Sequence, residues 1–401
     1  MTKTLASSPR AAGPRPPLLT RPLLLRFVSL LGGSTSFYLL LSVVPGFAVA
    51  HGGGGGTAGL ATGVLMLATV GGELATPALV RRLGYRVVLA AGLALMGAPA
   101  LALTASAALW VIVAVCVLRG VGFACTVVAG GALTASLIPA ERRGEGLALV
   151  GIVSGVPSLV ALPLGVWLAA HEGYGAVFTI GAAAALLAVL SVPALPDRIR
   201  ASGRHVGLGE ALRSGELLRP AVVFGTTAVA AGIVVTFLPL VVPGSAGWAV
   251  TVALLVQPGA ATIARWVAGR RGDRRGPAGL VVPGLLLAAL GTLLTAAATS
   301  SPVLVVVAMA VFGTGFGFAQ NSTLMLMYGR VPEAGYGTVS ALWNFAYDAG
   351  MGVGALAFGA VAAATGYPSA FALTAAVMLA ALAPALADRR RATTPKEAGP
   401  Q

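Results

Sequence analysis

Three ionisable side chains lie inside long apolar stretches of this sequence: Glu73, Arg119 and Asp348. A charge at the centre of a bilayer costs at least about 2.5–3.5 kcal/mol, so such residues usually have a protein partner, a water-filled cavity or a function. A buried carboxyl group can take up and release a proton. Arginine stays charged, and it can hold an anionic group or act on a nearby carboxylate through its field. The three residues are candidates for proton coupling or gating.

Each of the three also has a structural interpretation, which the sequence leaves open. Arg119 can cap backbone carbonyls or pair permanently with an acid. Asp348 can form a helix–helix hydrogen bond, and Glu73 can be an interfacial residue that reaches towards the lipid headgroups. Asn344, Tyr347 and Asp348 share one helical face by their spacing, which makes Asn344 and Tyr347 candidate substrate-binding residues.

Neutral polar and aromatic residues add further candidates for substrate binding. Gln257, Gln320 and Asn321 lie in apolar stretches, where amide groups are not expected to face lipid. Phe37 and Tyr38 offer an aromatic wall to an apolar ligand.

The composition is that of a membrane protein. The 401 residues have a mean hydropathy of +0.91, and only 9% of them are charged, against roughly a quarter in soluble chains. A spanning helix needs about 20 apolar residues, so twelve spans with short loops account for the length. This composition excludes a secreted disulfide-bonded domain, a soluble enzyme and a disordered regulator.

The basic residues alternate loop by loop, as the positive-inside rule requires. This alternation predicts that both termini are cytoplasmic, and it explains the net charge of +14 without a nucleic-acid surface. Apart from Arg119, all Lys and Arg residues fall in seven groups: the first 26 residues, Arg81–Arg86, Arg142–Arg143, Arg198–Arg219, Arg265–Arg275, Arg330 and Arg389–Lys396.

The sequence predicts an all-α membrane protein with twelve transmembrane helices in two six-helix bundles. The expected regions are a cytoplasmic N-terminal tail (1–22), a first bundle (23–195), a cytoplasmic linker (196–219), a second bundle (220–387) and a cytoplasmic C-terminal tail (388–401) without regular structure.

An internal repeat relates the two bundles. Parallel halves of this kind place a substrate site between them near the middle of the membrane. Shifts of 193 or 192 residues align Gly120, Gly122 and Phe123 with Gly313, Gly315 and Phe316; Gly173, Tyr174 and Phe178 with Gly366, Tyr367 and Phe371; and Arg82 and Gly84 with Arg274 and Gly276.

One loop carries a more specific signature. Gly269-x-x-x-Asp273-Arg274-x-Gly276 resembles the cytoplasmic loop motif of the major facilitator superfamily. In that family the acid of this loop latches the cytoplasmic gate. The equivalent first loop keeps Gly84 and Arg86 but has Arg81 in place of the acid. The resemblance therefore implies a gate motif of six residues, with the latch in the second loop: Gly84, Arg86, Gly269, Asp273, Arg274 and Gly276. A basic turn that only obeys the positive-inside rule is the alternative.

The resemblance also implies roles for individual spans. Arg119-Gly120-Val121-Gly122-Phe123 resembles the family's motif associated with proton-coupled transport. In the family, spans one, four, seven and ten line the cavity, which adds Phe123 to the substrate-binding candidates and favours Tyr38, Arg119, Gln320 and Asn321. Spans two and eleven pack together in the family, so we expect Glu73 and Asp348 to share a wall.

Together these features predict a secondary transporter that exports small amphipathic drugs or metabolites by proton antiport and alternating access. One alternative is uptake of a sugar, nucleoside or carboxylate by symport, which requires more hydroxyl and amide side chains aimed at one spot. The other is a lipid flippase or membrane sensor on the same fold.

The expected partners are a small-molecule substrate, protons and membrane lipids, with no nucleic acid, and we expect a monomer. No nucleophile motif, phosphate-binding loop or metal-ligand spacing occurs, so we expect neither an enzyme nor a cofactor. Arg greatly outnumbers Lys, which occurs only at Lys3 and Lys396. This bias indicates a GC-rich bacterial source, and hence the bacterial plasma membrane.

Overall fold

The structure, a computed structural model, describes residues 17–139, 142–197, 215–243, 246–297, 301–332 and 335–393. The predicted N-terminal tail up to residue 16, most of the linker and the last eight residues lie outside this part of the chain.

The described residues form an all-α protein, and we number its spans α1 to α12. They are α1 (Arg21–Ala50), α2 (55–83), α3 (85–105), α4 (Leu109–Leu137), α5 (Arg143–His171), α6 (Tyr174–Val189), α7 (Gly215–Val241), α8 (Gly247–Arg275), α9 (Pro277–Thr295), α10 (Pro302–Tyr328), α11 (Tyr336–Thr365) and α12 (Tyr367–Asp388).

The prediction of twelve spans is confirmed. Ten helical stretches of the described chain are long and apolar enough to cross a membrane. One of them, Gly55–Ala105, has 51 residues, which at 1.5 Å per residue is about 76 Å, more than twice the thickness of the hydrocarbon core. It bends at Gly84, where φ is 84°, so it contains two spans. The shorter apolar helix Tyr174–Val189 completes the twelve.

The arginine-bearing connections that contact one another lie at one end of the molecule, which we call the Arg-rich end. Tyr85 and Arg86, at the α2–α3 bend, contact Asp197 beyond α6. Arg330, after α10, donates hydrogen bonds to the Glu216 carbonyl at the start of α7 and to Asp388 at the end of α12. The opposite end, which we call the Arg-poor end, contains the connections that lack Lys and Arg.

The repeat is visible in the backbone. Gly84 and Gly276 occupy equivalent bends with φ of 84° and 79°, and Gly173 and Gly366 precede α6 and α12 with φ of 83° and 81°. Side chains other than glycine rarely adopt this left-handed region. The glycines therefore recur because each half needs the same turn at the same place.

Close helix contacts repeat in the same way. A Cβ atom at Gly120 would collide with the α2 backbone and one at Gly122 with the α3 backbone, so α4 is wedged between these helices. Gly313 and Gly315 place α10 equally close to α8 and α9. Small residues permit this approach, which replaces the hydrophobic effect as the basis of helix association in lipid.

The two halves meet along α2 and α11. Gly59 and Gly63 of α2 lie directly against Ala355 and Leu356 of α11. Beside this seam, the Thr236 hydroxyl of α7 donates a 2.8 Å hydrogen bond to the Thr62 hydroxyl of α2. These contacts belong to the halves of the helices nearer the Arg-poor end.

The C-terminal segment differs from the sequence-based expectation. A helix runs from Leu382 to Thr393, so residues 388–393 are not an irregular tail. Asp388 explains the difference, because it is buried and its carboxylate pairs with Arg219 at 3.4 Å and Arg330 at 3.2 Å. The predicted linker is also shorter than expected, since α7 already includes Gly215–Arg219.

This ion-pair cluster yields a stability prediction. Asp388→Asn removes the shared negative charge and leaves two partly buried arginines without it. We expect a loss of about 1 kcal/mol, equivalent to a fall in melting temperature of roughly 2–4 °C in a domain of 150–250 residues. Thermal unfolding in detergent measures this shift. Glu216→Gln is the matched control, because Glu216 contacts Arg330 through its backbone carbonyl. An unchanged melting temperature in Asp388→Asn contradicts the prediction.

Candidate functional site

Two carboxyl groups meet across the seam between the halves. Glu73 of α2 and Asp348 of α11 lie within hydrogen-bonding reach of each other. Asp348 is 5% exposed, and Glu73 is half-buried. Two carboxylates offer only acceptors, so a hydrogen bond between them requires one proton. The structure therefore brings together the two acids that the sequence analysis selected.

Several polar side chains lie between this acid pair and Arg265 of α8 in the centre of the molecule. Tyr38 of α1 and Tyr347 of α11 lie within electrostatic reach of Asp348 on one side and Arg265 of α8 on the other. Arg265 donates hydrogen bonds to Gln320 of α10 at 3.2 Å and to the Thr262 hydroxyl at 2.8 Å. Groups from both halves thus connect the two acids with the arginine.

A cavity of about 120 Å³ lies between the halves, and Arg265, Tyr38 and Tyr347 line it. Its lining combines polar side chains with aliphatic and aromatic ones. The polar lining comprises Tyr38, Ser158, Gln257, Arg265, Gln320 and Tyr347, and the apolar lining includes Leu162, Val234, Val235, Leu254, Phe312 and Phe316. Such a surface suits a small compound with both a polar and an apolar part.

Arg265 is the main site residue that the sequence analysis missed. The sequence analysis groups it with the basic residues Arg265–Arg275, although the apolar stretch that predicts the eighth span runs over residues 247–268. In the structure α8 continues to Arg275, so Arg265 lies ten residues, or about 15 Å, from that end of the helix. Its position inside the predicted span was the available signal.

Arg26 was missed for the same reason. It lies in the first turns of α1, and its side chain is buried against α4. Its guanidinium donates hydrogen bonds to Gly130 O and Thr134 Oγ1 at 3.1 Å and to Ser29 Oγ at 2.8 Å. Arg26 therefore fastens α1 to α4, and the buried ionisable residues are more than the three expected.

The contacts of Arg119 agree with its structural interpretation, in which it caps backbone carbonyls. It is 3% exposed and donates to the Ser36 carbonyl of α1 at 2.8 Å, to the Ser36 hydroxyl at 3.3 Å and to the Met96 carbonyl of α3. Among the residues that the structure describes, no carboxylate contacts it. It borders a separate void of about 10 Å³, not the central cavity.

Four of the eight predicted substrate-binding residues line the central cavity: Tyr38, Gln257, Gln320 and Tyr347. Phe37 and Phe123 instead stack on each other, with ring centroids 3.7 Å apart. Asn321 is directed towards Gly269 of α8 and Met325, because adjacent helical residues point about 100° apart and Gln320 takes the cavity side. Asn344 is half-buried and lies outside the cavity lining.

An acidic residue from outside the loop, Asp197, contacts the α2–α3 bend, where the motif's own acid is replaced by Arg81. The backbone N–H of Arg86 donates to Asp197 Oδ1 at 3.2 Å, and the Arg86 side chain donates to the Leu195 carbonyl. Asp197 follows α6, so an acid from elsewhere in the chain caps the helix that starts after Gly84.

The second loop of the predicted gate motif lies at the same Arg-rich end. Gly269 faces Asn321 of α10, and Gly276 forms the bend before α9. Arg274 is exposed. The side chain of Asp273 lies outside the described part of the structure, so its predicted latch contact remains a prediction.

The fold is similar to that of solved transporters. The nucleoside transporter NupG matches with a TM-score of 0.71 at 15% identity, over 94% of this chain and all of that chain (100%). A POT family transporter in complex with 5-aminolevulinic acid matches with a TM-score of 0.74 at 12% identity, over 93% of this chain and 97% of that chain. The same shares and identity apply to a POT family transporter in complex with a thioalcohol-conjugated peptide, with a TM-score of 0.75.

No curated protein matches the sequence. The sequence profile of the Major Facilitator Superfamily, however, matches residues 26–355. This range covers most of both halves, including the acid pair and the central cavity. The chain therefore belongs to the Major Facilitator Superfamily of membrane transporters.

Proposed function

We propose that this protein is a proton-coupled secondary transporter that moves a small amphipathic organic compound across the membrane by alternating access. The observation that carries this proposal is the contact between Glu73 and Asp348 across the seam of the two halves. In this proposal the acid pair is the proton site and the central cavity is the substrate site.

The acid pair lies at the seam, so a proton on it changes whether the two halves attract or repel each other there. With one proton, the two carboxyl groups attract each other through a hydrogen bond. Without it, two like charges about 4 Å apart repel by about 4 kcal/mol at an effective dielectric constant of 20. Loss of the proton therefore favours separation of α2 from α11, and its return favours contact. A proton that biases the rocking of two halves is the requirement for coupling.

The central cavity supports a small substrate. Its volume of about 120 Å³ is close to that of engineered apolar cavities of about 150 Å³ that admit benzene. A single-ring compound is the expected size. Phe312, Phe316 and the aliphatic residues accommodate its apolar part, and the tyrosine, glutamine and arginine side chains accommodate its polar part.

Two directions of transport follow from different features. The aliphatic and aromatic wall supports the sequence-based expectation of export by proton antiport. The convergence of Tyr38, Gln257, Gln320 and Tyr347 supports uptake by symport, because that alternative requires hydroxyl and amide groups aimed at one spot. We place the protein in the bacterial plasma membrane with both termini in the cytoplasm.

In this proposal Arg119 contributes to gating. Arg119 joins α1, α3 and α4 through backbone carbonyls, and α1 carries Tyr38 into the cavity. The arginine thus keeps the helices of the first half together while that half rocks. Its role is positional, since it does not itself exchange a proton.

The acid pair gives the most direct functional prediction. Asp348→Asn keeps the size and a hydrogen-bonding group but no longer accepts a proton. We expect pH-driven flux in vesicles to fall about tenfold or more, while exchange of substrate between both sides persists. Radiolabelled phenyltrimethylammonium reports antiport, and radiolabelled benzoate reports symport; both are single-ring compounds.

Glu73→Gln should have the same effect, and Glu172→Gln, an exposed residue at the Arg-poor end, is the matched control. If Asp348→Asn and Glu73→Gln both retain full pH-driven flux, the proton site is elsewhere.

The proposed orientation is testable by labelling in whole cells. Cys116 and Cys125 are buried and can first be replaced by Ala. In that background, His171→Cys at the Arg-poor end should react with a membrane-impermeant maleimide. Arg275→Cys at the Arg-rich end should react only after the cells are opened. The reverse pattern contradicts the assignment of the Arg-rich end to the cytoplasm.

A further inference from the structure

Arg265 differs from the other arginines that the structure places among helices. Arg26 and Arg119 are nearly fully buried, and backbone carbonyls and hydroxyl groups surround their guanidinium groups. Arg219 and Arg330 share the Asp388 carboxylate. These four arginines are thus neutralised or capped by the protein itself.

Arg265 alone among these residues borders a cavity of ligand size. Within the described chain, its hydrogen bonds go to two neutral groups, Gln320 and Thr262, and no carboxylate pairs with it. A guanidinium group has five N–H donors in a planar fork that matches a carboxylate or a similar oxyanion. Two of these donors bond Gln320 and Thr262, and three remain on a side chain that lines the cavity.

The repeat reinforces the contrast between Arg265 and the acid pair. The shift of 192 residues that aligns Gly84 with Gly276 also aligns Glu73 with Arg265. Equivalent positions on α2 and α8 thus carry opposite charges, at a similar depth of about 15 Å from the Arg-rich end. Glu73 has Asp348 as its partner, whereas the α5 residues that line the cavity with Arg265, Ser158 and Leu162, are both neutral.

We infer that the transported compound is a small organic anion whose acidic group binds Arg265, and that a proton on the Glu73–Asp348 pair moves with it in the same direction. This inference rests on the proposed function, which it makes more specific. Gln320, Tyr38 and Tyr347 surround the acidic group, and Phe312 and Phe316 contact the apolar part.

The direction of coupling follows from the charges. Asp348 and Arg265 both act on Tyr38 and Tyr347, so an anion held between these residues also lies within reach of the acid pair. Its negative charge favours a proton on that pair, and by reciprocity the proton favours binding of the anion. A cation would compete with the proton instead. The anion and the proton therefore occupy the same state and cross together.

Among the residues that the structure describes, no other charged group on the packed elements reverses this sign. Tyr38 from α1 and Tyr347 from α11 lie within electrostatic reach of Asp348, and Arg265 from α8 lies within reach of the same two tyrosines. Arg119 of α4 is directed towards the carbonyls of Ser36 and Met96. The proton comes from water on one side, forms an O–H bond on the pair and returns to water on the other side.

Binding of three isosteric probes to the purified full-length protein tests this inference. Benzenesulfonate is an anion at any pH used, benzenesulfonamide is its neutral counterpart, and phenyltrimethylammonium is a cation of similar size. Titration calorimetry measures their affinities at about pH 6 and about pH 8. We expect benzenesulfonate to bind tightest, and about fivefold or more tightly at the lower pH.

Variants assign the effect to individual residues. Arg265→Gln should weaken benzenesulfonate binding about tenfold or more, and Arg265→Lys should retain the preference for the anion. Arg270→Gln is the matched control, because Arg270 is exposed on the same helix and stacks over Trp266 at 3.9 Å. In Asp348→Asn, the affinity for the anion should no longer depend on pH.

Other outcomes overturn the inference. These are equal or tighter binding of the neutral or cationic probe, no binding of benzenesulfonate, or an anion preference that survives in Arg265→Gln. The flux measurement tests the proposed function separately. If pH-driven flux of phenyltrimethylammonium depends on Asp348 while benzenesulfonate does not bind, proton coupling stands and the anionic substrate does not.

Discussion

An ionised side chain inside a membrane protein loses its hydration, at an effective cost of several kcal/mol. This constraint organises the interior of the molecule. Arg26 and Arg119 meet it with carbonyl and hydroxyl oxygens of neighbouring helices, and both arginines thereby hold the first half together. Glu73 and Asp348 meet it with each other across the seam. Within the described part of the chain, Arg265 meets it with two neutral partners, Gln320 and Thr262, next to a cavity.

These solutions have different consequences for motion. An arginine capped by carbonyls is satisfied in one arrangement of helices and moves with them as a unit. A carboxyl pair is satisfied only while it holds a proton, so its contact depends on the solution. The seam nearer the Arg-poor end includes Gly59, Gly63, Ala355, Leu356, Thr62 and Thr236, which are uncharged, so their contacts do not depend on a proton. The acid pair is therefore the part of the interface that a proton gradient can control.

Much of the architecture was predictable because it follows from local rules. Hydropathy predicted the spans, and the distribution of arginine predicted which connections lie at the same end of the molecule. Recurring glycines such as Gly173 and Gly366 indicated the repeat. The meeting of Glu73 and Asp348 agrees with the expected packing of spans two and eleven. The predictions that failed concerned how deeply a residue lies in the protein and which side of its helix it occupies. Arg26 and Arg265 lie near span ends in the sequence, but Arg26 is buried against α4 and Arg265 lies about 15 Å from the end of α8. Gln320 and Asn321 are neighbours in sequence, yet only Gln320 reaches the cavity. Nothing local reveals that Asp197 and Asp388 fold back onto distant turns.

The central claim is that Glu73 and Asp348 share one proton between the two halves. Infrared difference spectroscopy after a pH jump detects the carbonyl stretch of a protonated carboxyl group directly, without a substrate. The account predicts such a band at neutral pH in the wild-type protein. The band should shift in Glu73→Gln and vanish in the double variant with Asp348→Asn. A spectrum without any protonated-carboxyl band that responds to either substitution would contradict it.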